Sequence, residues 1–137
     1  MHHKLHKLHK LLHVIDMQEA RLERLEYCFP GIWSERPVFK SIDHAPGWDP
    51  LLWETLRKAR DIAPSFKLVQ IKEKCGTLRI YMERGSVPEG KEDEVRRILI
   101  EAGGISSLVC EVCGFTGKID SSRRWRKTLC IEHRALF

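Results

Sequence analysis

The chain has 137 residues, a net charge of +5 and an ordinary hydrophobic content of 42%, which together indicate a globular protein of one domain, or of one domain with a small appended module. The sequence lacks any run close to the roughly 18 apolar residues of a membrane span. The basic start is not followed by a continuous apolar segment, so no secretory signal is expected.

Residues 1–16 form a predicted N-terminal appendage that repeats the tripeptide His-Lys-Leu. His2, His6, His9 and His13 fall on one stripe of a helix, where pairs four residues apart can bind a metal. Low-complexity His-rich tails more often have no specific role, and none is expected here.

Residues 17–104 predict an α+β core made of a helix, a loop, a second helix, a β-hairpin and a third helix. The first helix is expected to start at the capping box Asp16–Glu19 and to end at Pro30-Gly31. The third helix is expected over Glu92–Ala102 and to end at Gly103-Gly104. The loop after the first helix is expected to be irregular and to place four side chains in the core: Trp33, Val38, Phe39 and Ile42.

The middle of this core has the clearest local signals. Asp49 is predicted to cap the second helix, which runs over Pro50–Ile62 because proline suits the first helical position. Alternating apolar residues over 66–73 and 77–83 predict the two strands of the hairpin, with the turn at residues 74–76.

Residues 105–137 are predicted to form a metal-binding module. Its ligands are two cysteines two residues apart and, after the segment 114–129, a cysteine and a histidine with the same spacing: Cys110, Cys113, Cys130 and His133. This spacing is typical of a structural site for one Zn²⁺, since thiolates and imidazole suit zinc whereas Mg²⁺ and Ca²⁺ prefer oxygen ligands. Gly114, directly after the first pair, is expected at positive φ. A redox C-x-x-C motif is the alternative, but such a motif has no second Cys/His pair downstream.

Two groups of basic residues are predicted to contact a partner. The first lies inside the metal-binding module: Arg123, Arg124, Trp125, Arg126 and Lys127. The second lies on the hairpin beside Tyr81: Lys72, Lys74 and Arg79. Arginine and aromatic side chains together grip phosphates and stack on bases, so nucleic acid is the predicted partner. The alternatives are a solvated basic surface and a Trp125 that packs against the metal-binding knuckle.

Enzyme chemistry finds little support, and we predict no catalytic residues and no small-molecule substrate. A zinc deaminase needs an H-x-E or C-x-E pair upstream of P-C-x-x-C, and here Val109 precedes the first cysteine. A metal-dependent nuclease would use the strand residues Gln70-Ile71-Lys72 with Asp49 or Asp61 as the metal carboxylate. Two-metal chemistry needs converging carboxylates, so a solvated strand surface is favoured over a nuclease site.

From about residue 20 to residue 134, the chain resembles a family of small zinc-binding proteins of bacteriophages and prophages. The resemblance rests on Gly47-Trp48, on the hairpin segment Val69–Tyr81, on Cys110-Glu111-x-Cys113-Gly114 and on Trp125-x-x-x-Leu129-Cys130-x-x-His133. Cys75 and Thr77 depart from it, since the family more often has Phe and Gly there. The resemblance implies a phage protein that acts inside a bacterial host.

These observations give two functional hypotheses. The first is a non-enzymatic, zinc-stabilised protein whose basic face contacts nucleic acid or a nucleic-acid-bound host complex. The second is a phage-encoded inhibitor of a host defence system that acts by protein–protein contact. Cys28 and Cys75, which the metal site does not use, are expected to be free thiols, as fits a cytoplasmic protein.

Overall fold

A computed structural model describes residues 17–136, so the predicted appendage 1–16 lies outside the described residues. The helices are α1 (17–28), α2 (Asp49–Ile62), α3 (Glu92–Ser106) and α4 (Ile131–Leu136). The strands are β1 (Ile42–Asp43), β2 (Leu68–Lys74), β3 (Thr77–Met82), β4 (Lys118–Asp120) and β5 (Lys127–Leu129). The predicted α+β class is confirmed.

The larger sheet has the strand order β1-β2-β3, and β4 pairs with β5 in a separate two-stranded sheet. The strands β2 and β3 form the predicted antiparallel hairpin, in which Ile71 pairs with Ile80 on the buried face. The turn places both Cys75 and Gly76 at positive φ, as a type I′ hairpin turn requires.

The core lies between this sheet and the helices α2 and α3, which pack against each other, with α3 also against β3. The inward side of α2 buries Leu52, Leu56 and Ala59 completely, at the spacing of one helical face. Trp48, just before α2, is also fully buried, and its indole N–H donates to the carbonyl of Val109 at 2.8 Å.

The loop after α1 differs from its prediction. Trp33 and Ile42 are buried as expected, but Val38 and Phe39 are exposed, so these two core assignments were wrong. The loop is also less irregular than expected, because residues 42–43 form β1, which adds a parallel strand beside β2. A two-residue strand leaves no alternating pattern in the sequence, and only its partner reveals it.

The predicted role of Asp49 as a helix cap was also wrong. Its side chain makes no capping hydrogen bond; its two carboxylate oxygens instead accept hydrogen bonds from Arg21 of α1 at 2.6 and 2.8 Å. This bidentate ion pair ties the first two helices together.

The third helix does not end at Gly103-Gly104 but continues to Ser106. The glycines lie within its last turns, where a Cβ on Gly103 would come within 3.2 Å of the Leu78 carbonyl oxygen. The Ser106 hydroxyl donates to the Gly103 carbonyl and accepts the N–H of Leu78, so this end of α3 is fixed to β3. Close packing against β3, and not the end of the helix, therefore explains Gly103.

Within residues 17–136, none of the helices combines the length and apolarity that would let it cross a bilayer.

Candidate metal centre

The first two ligands lie on a tight knuckle that precedes β4. Val109 and Thr116 form an isolated antiparallel bridge, and within it the Cys110 N–H donates to the carbonyl of Phe115 at 2.7 Å. The Gly114 N–H closes the turn on the carbonyl of Cys110, and Gly114 has the predicted positive φ, at 83°. The knuckle therefore points the two thiols to the same side.

The other two ligands come from the junction of β5 and α4. Cys130 follows β5 directly, and His133 lies about one helical turn later, within the short α4. The Arg134 N–H donates to the carbonyl of Cys130 at 2.9 Å, which fixes the direction of this helix. The pairing of β4 with β5 brings this junction back to the knuckle.

The four predicted ligands meet: one ligand atom from each lies within 4.8 Å of the others. The Cys113 and Cys130 sulfurs are 3.8 Å apart, and His133 Nδ1 lies 3.6 Å from the Cys110 sulfur and 3.2 Å from the Cys130 sulfur. A tetrahedral ion with metal–sulfur bonds of about 2.3 Å would separate two sulfurs by about 3.8 Å. The cluster can therefore hold one metal ion, and Nδ1 is the imidazole nitrogen that faces it.

The local environment favours a thiolate at Cys110 but not at Cys113. At Cys113 the Phe115 N–H lowers the pKa of the thiol, but burial and hydrogen bonds with the Cys110 and Cys130 sulfurs outweigh this effect and raise it. Burial raises the pKa of the Cys110 thiol, but backbone hydrogen bonds at Cys113, Cys130 and Val112 outweigh this effect and lower the pKa to about 6. All five cysteines are free thiols, with Cys110 and Cys130 buried and Cys28 and Cys75 exposed. The cluster therefore contains no disulfide, and the buried thiols of Cys110 and Cys130 are shielded from oxidants in solution.

Comparison with protein-family models, with curated proteins and with solved structures gives no match for this chain.

The knuckle docks on the segment just before α2 through the main chain and the side chain of Glu111. The Gly47 N–H donates to the carbonyl of Glu111 at 2.7 Å, and the Ala45 N–H donates to Glu111 Oε2 at 3.0 Å. A Cβ on Gly47 would lie 2.3 Å from the Cys110 carbonyl oxygen and 2.4 Å from that of Glu111. Only glycine fits this approach, which explains why Gly47 precedes the buried Trp48.

The basic residues of the metal-binding module fall into two groups. Arg124, Trp125 and Arg126 are exposed in the β4–β5 loop, with 76% of the Trp125 surface accessible, so Trp125 does not pack against the knuckle. Arg123, by contrast, donates to Asp120 at 2.8 Å and to the Arg134 carbonyl at 2.5 Å. It braces the loop instead of facing solvent.

The basic hairpin residues lie close to this loop. Lys72 and Arg79 are cross-strand partners, Lys74 is exposed beside the turn, and the Lys72 ammonium lies 5.7 Å from the centre of the Tyr81 ring. The hairpin turn touches β5, since the Thr128 hydroxyl donates to the Gly76 carbonyl at 2.6 Å, and a Cβ on Gly76 would lie 3.5 Å from the main chain of Arg126 at the end of the loop. The tip of the hairpin, with Lys74, therefore adjoins the loop that carries Arg124–Arg126.

The carboxylates of the nuclease alternative do not converge. Asp49 is held by Arg21, while Asp61 pairs with Arg57 on the exposed side of α2. Gln70 and Lys72 are half-buried on β2. In the described part of the chain, no hydrogen bond connects either residue to Asp49 or Asp61. The structure therefore adds nothing to the nuclease interpretation.

Two further polar residues near the site were missed in the sequence. Glu111 stands between the two knuckle cysteines and is buried, with 4% of its surface accessible; His44 is buried beside it at 6%. A charged residue inside a C-x-x-C knuckle is a usable signal, because it must either be solvated or hold the knuckle to its neighbour. His44 carries no such signal.

Proposed function

We propose that the cysteine–histidine cluster holds one structural zinc ion and that the chain is a non-enzymatic protein whose basic surface binds nucleic acid. The donor set of three sulfurs and one nitrogen supports zinc over harder ions, and four protein ligands leave no open position for a substrate. The zinc ion would then brace the β4–β5 loop instead of performing chemistry.

The observation that carries the nucleic-acid proposal is the exposed Trp125 between the exposed Arg124 and Arg126. A large aromatic side chain left in solvent gains by stacking on an unpaired base, and flanking guanidinium groups gain by pairing with phosphates. Hydrogen bonds from Ser122 and then Arg123 lower the pKa of Asp120 to about 2, and the Arg123–Asp120 contact at 2.8 Å braces the base of the loop.

We define the basic surface as the exposed or half-exposed basic side chains of the hairpin and the β4–β5 loop together with the indole between them: Lys72, Lys74, Arg79, Arg124, Trp125, Arg126 and Lys127. Arg123 is left out because it braces the loop. Single-stranded nucleic acid is the form favoured by an exposed indole, because duplex bases are already stacked.

The test is fluorescence anisotropy with a labelled single-stranded oligo-dT over a range of salt concentrations. Affinity should fall with salt, and the double variant Arg124→Ala/Arg126→Ala should flatten the slope of log K against log salt by about 1.4, or roughly 0.7 for each phosphate that is no longer neutralised. Trp125→Ala should weaken binding by about fivefold to 150-fold at unchanged slope, since stacking contributes about 1–3 kcal/mol for each base.

The matched control is Lys58→Ala/Arg97→Ala, which removes the same charge from exposed positions on α2 and α3. This control should leave the slope of log K against log salt equal to that of the wild-type chain within experimental error. Binding that ignores salt, or that both double variants weaken equally, would contradict the proposal.

A second candidate, a protein partner such as a host defence complex, is favoured by the exposed apolar side chains of Phe115 and Ile131 on the same module. Its test is a pull-down from nuclease-treated bacterial lysate with the wild-type chain and with Phe115→Ser/Ile131→Ser. A stoichiometric partner that survives nuclease and is absent with the variant supports this candidate, whereas recovery of no protein partner rejects it.

A further inference from the structure

A groove of about 700 Å³ runs along the outer edge of β3. The strand order β1-β2-β3 makes β3 an edge strand of its sheet. The groove is lined by every residue of β3 and by none of β2, and its opposite wall is α3. It therefore lies on the side of β3 where the described part of the chain places no further strand.

The main chain of Leu78, near the start of β3, points away from β2. Its N–H donates to Ser106 Oγ of α3 at 2.8 Å, and a Cβ on Gly103 would lie 3.2 Å from its carbonyl oxygen. Both main-chain groups of Leu78 are therefore directed to α3, which covers the edge of β3 at this end.

The main chain of Met82, at the other end of β3, also points away from β2. Its cross-strand partner is Leu68, whose N–H donates to the Ile32 carbonyl at 2.7 Å and whose carbonyl accepts the Ser34 N–H at 2.8 Å. Because Leu68 bonds the segment on the far side of β2, Leu68 and Met82 form a non-hydrogen-bonded pair. The N–H and the carbonyl of Met82 are thus directed to the groove.

Ile80 lies midway between these two residues. Alternate residues of an antiparallel strand direct their main-chain groups to the same edge, so Ile80 shares the orientation of Leu78 and Met82. Within residues 17–136, no hydrogen bond from outside the sheet reaches the main chain of Ile80 or Met82. Their N–H and carbonyl groups are therefore the part of the edge that an added strand can bond.

The helix α3 gives the groove an apolar floor. Leu99 is buried and Gly103 approaches β3, whereas Ile100 and Gly104 lie one position further round the helix. Ile100 has 68% of its surface exposed, and a Cβ on Gly104 would meet nothing within 4 Å. A strand added beside β3 would place every second side chain over these two residues.

The charge of the groove selects an acidic partner. Its lining contains Arg79, Arg84 and Arg96 and no acidic residue. Arg96 pairs with Glu92, but Arg79 and Arg84 are exposed and form no ion pair with a carboxylate of residues 17–136. A second copy of this chain is disfavoured, because pairing two β3 edges would bring these arginines together, and like charges across strands are destabilising.

We propose that β3 receives an extended acidic peptide segment of a partner protein, which lies antiparallel in the groove as a fourth strand of the sheet. Its inward side chains are apolar and pack on Ile100 and Gly104, while its outward side chains are carboxylates beside Arg79 and Arg84. In strand addition of this kind, main-chain hydrogen bonds supply affinity and alternate side chains supply specificity. This interaction goes beyond the proposed function and does not depend on it, although Arg79 belongs to both surfaces.

The test is fluorescence anisotropy of a labelled peptide, Val-Glu-Val-Glu-Val-Glu-Val, with the full chain. In an antiparallel pair, opposite residues lie on the same side of the sheet, so the valines that pack on α3 also donate their N–H groups to the carbonyls of Ile80 and Met82. N-methylation of the valines should weaken binding by about tenfold or more, because it removes these donors. N-methylation of the glutamates is the matched control and should leave the affinity unchanged, since these methyl groups face solvent.

The peptide series can overturn the proposal without any substitution in the protein. No binding of the unmodified peptide, or equal binding of the two N-methylated peptides, would do so. Replacing the glutamates by lysines should abolish binding, because the groove would then hold only positive charges; a lysine peptide that binds as well as the glutamate peptide would also overturn the proposal.

Two substitutions at exposed positions test the assignment of residues. Ile100→Ser should weaken peptide binding by about fivefold or more, because it removes apolar surface that the valines cover; Ile131→Ser, an exposed helical position outside the groove, is its control. Arg84→Glu should weaken binding by about threefold to tenfold at low salt, and Arg24→Glu on the exposed side of α1 should not. Peptide affinity unchanged in both groove variants would contradict the proposal.

Nucleic acid and a second copy of the chain are the other candidate occupants. Ile100→Ser should leave the affinity for oligo-dT unchanged, whereas loss of oligo-dT binding in this variant would assign the groove to nucleic acid. A dimer in sedimentation that Ile100→Ser dissociates would assign it to a second copy, and either result would overturn the peptide proposal. Peptide binding by a chain that does not bind oligo-dT would refute the proposed function alone.

Discussion

Cys110→Ser should yield a chain that binds no stoichiometric metal and loses the ordered structure of residues 109–134. The second hydrophobic cluster has only Cys110, Leu129 and Cys130 as buried members, with Val112 packed against them. So small a core cannot offset the conformational entropy of ordering the module. Structural zinc contributes on the order of 10–16 kcal/mol in small zinc-folded peptides at neutral pH, so its loss should dominate.

The measurements are metal content by mass spectrometry and amide hydrogen exchange along the chain. Zinc at one equivalent in the wild type and none in the variant is the expected result, with fast exchange over 109–134. Cys28→Ser and Cys75→Ser are the matched controls, because both cysteines are exposed and distant in sequence from the cluster. Full metal content in Cys110→Ser, or a chelator that leaves wild-type exchange unchanged, would refute this prediction.

The second large effect is expected from Gly47→Ala, a change of one methyl group. The added Cβ would lie 2.3–2.6 Å from the main-chain atoms of Cys110 and Glu111, which are backbone and cannot rotate away. The knuckle must therefore separate from the start of α2, which also strains the Gly47–Glu111 hydrogen bond. We expect a loss of about 3 kcal/mol or more in the free energy of unfolding, above the usual range for one extra methyl group.

Urea denaturation measures this loss, and Gly104→Ala is its control. Gly104 lies within α3, and a Cβ there would meet nothing within 4 Å. Alanine at that position should stabilise the chain by about 0.5–1 kcal/mol, because it lowers the entropy cost of the helix. If the two substitutions had similar effects, the close approach at Gly47 would have no energetic role.

The elements that the sequence predicted well are those with a local cause. The hairpin follows from alternation and from a turn ending in Gly76, and the knuckle follows from ligand spacing and from Gly114, both of which operate over a few residues. The errors arose where the role of a side chain depends on a partner that is distant in the sequence. Asp49 has the right residue type for a cap, but Arg21 of another helix takes its carboxylate.

The same reason explains the parts of the candidate site that were missed. The four members of the cysteine–histidine cluster were predicted from their types and spacing alone, but the buried Glu111 and His44 were not, because they come together only when the knuckle docks on residues 45–47. Likewise, nothing in the run of basic residues separates Arg123, which braces its loop, from the exposed Arg124.

The hydrogen bond from the Trp48 indole to the Val109 carbonyl spans 61 residues of sequence, and it has a consequence for synthesis on the ribosome. At about 5–20 residues per second, the acceptor is translated roughly 3–12 s after its donor. During that interval the indole N–H is hydrogen-bonded to water, and the apolar ring of Trp48 lacks the knuckle that later covers it, which leaves the kind of transient apolar surface that chaperones shield. Arrival of the knuckle, which supplies the Val109 acceptor, would then bury the indole and release the chain from such a chaperone.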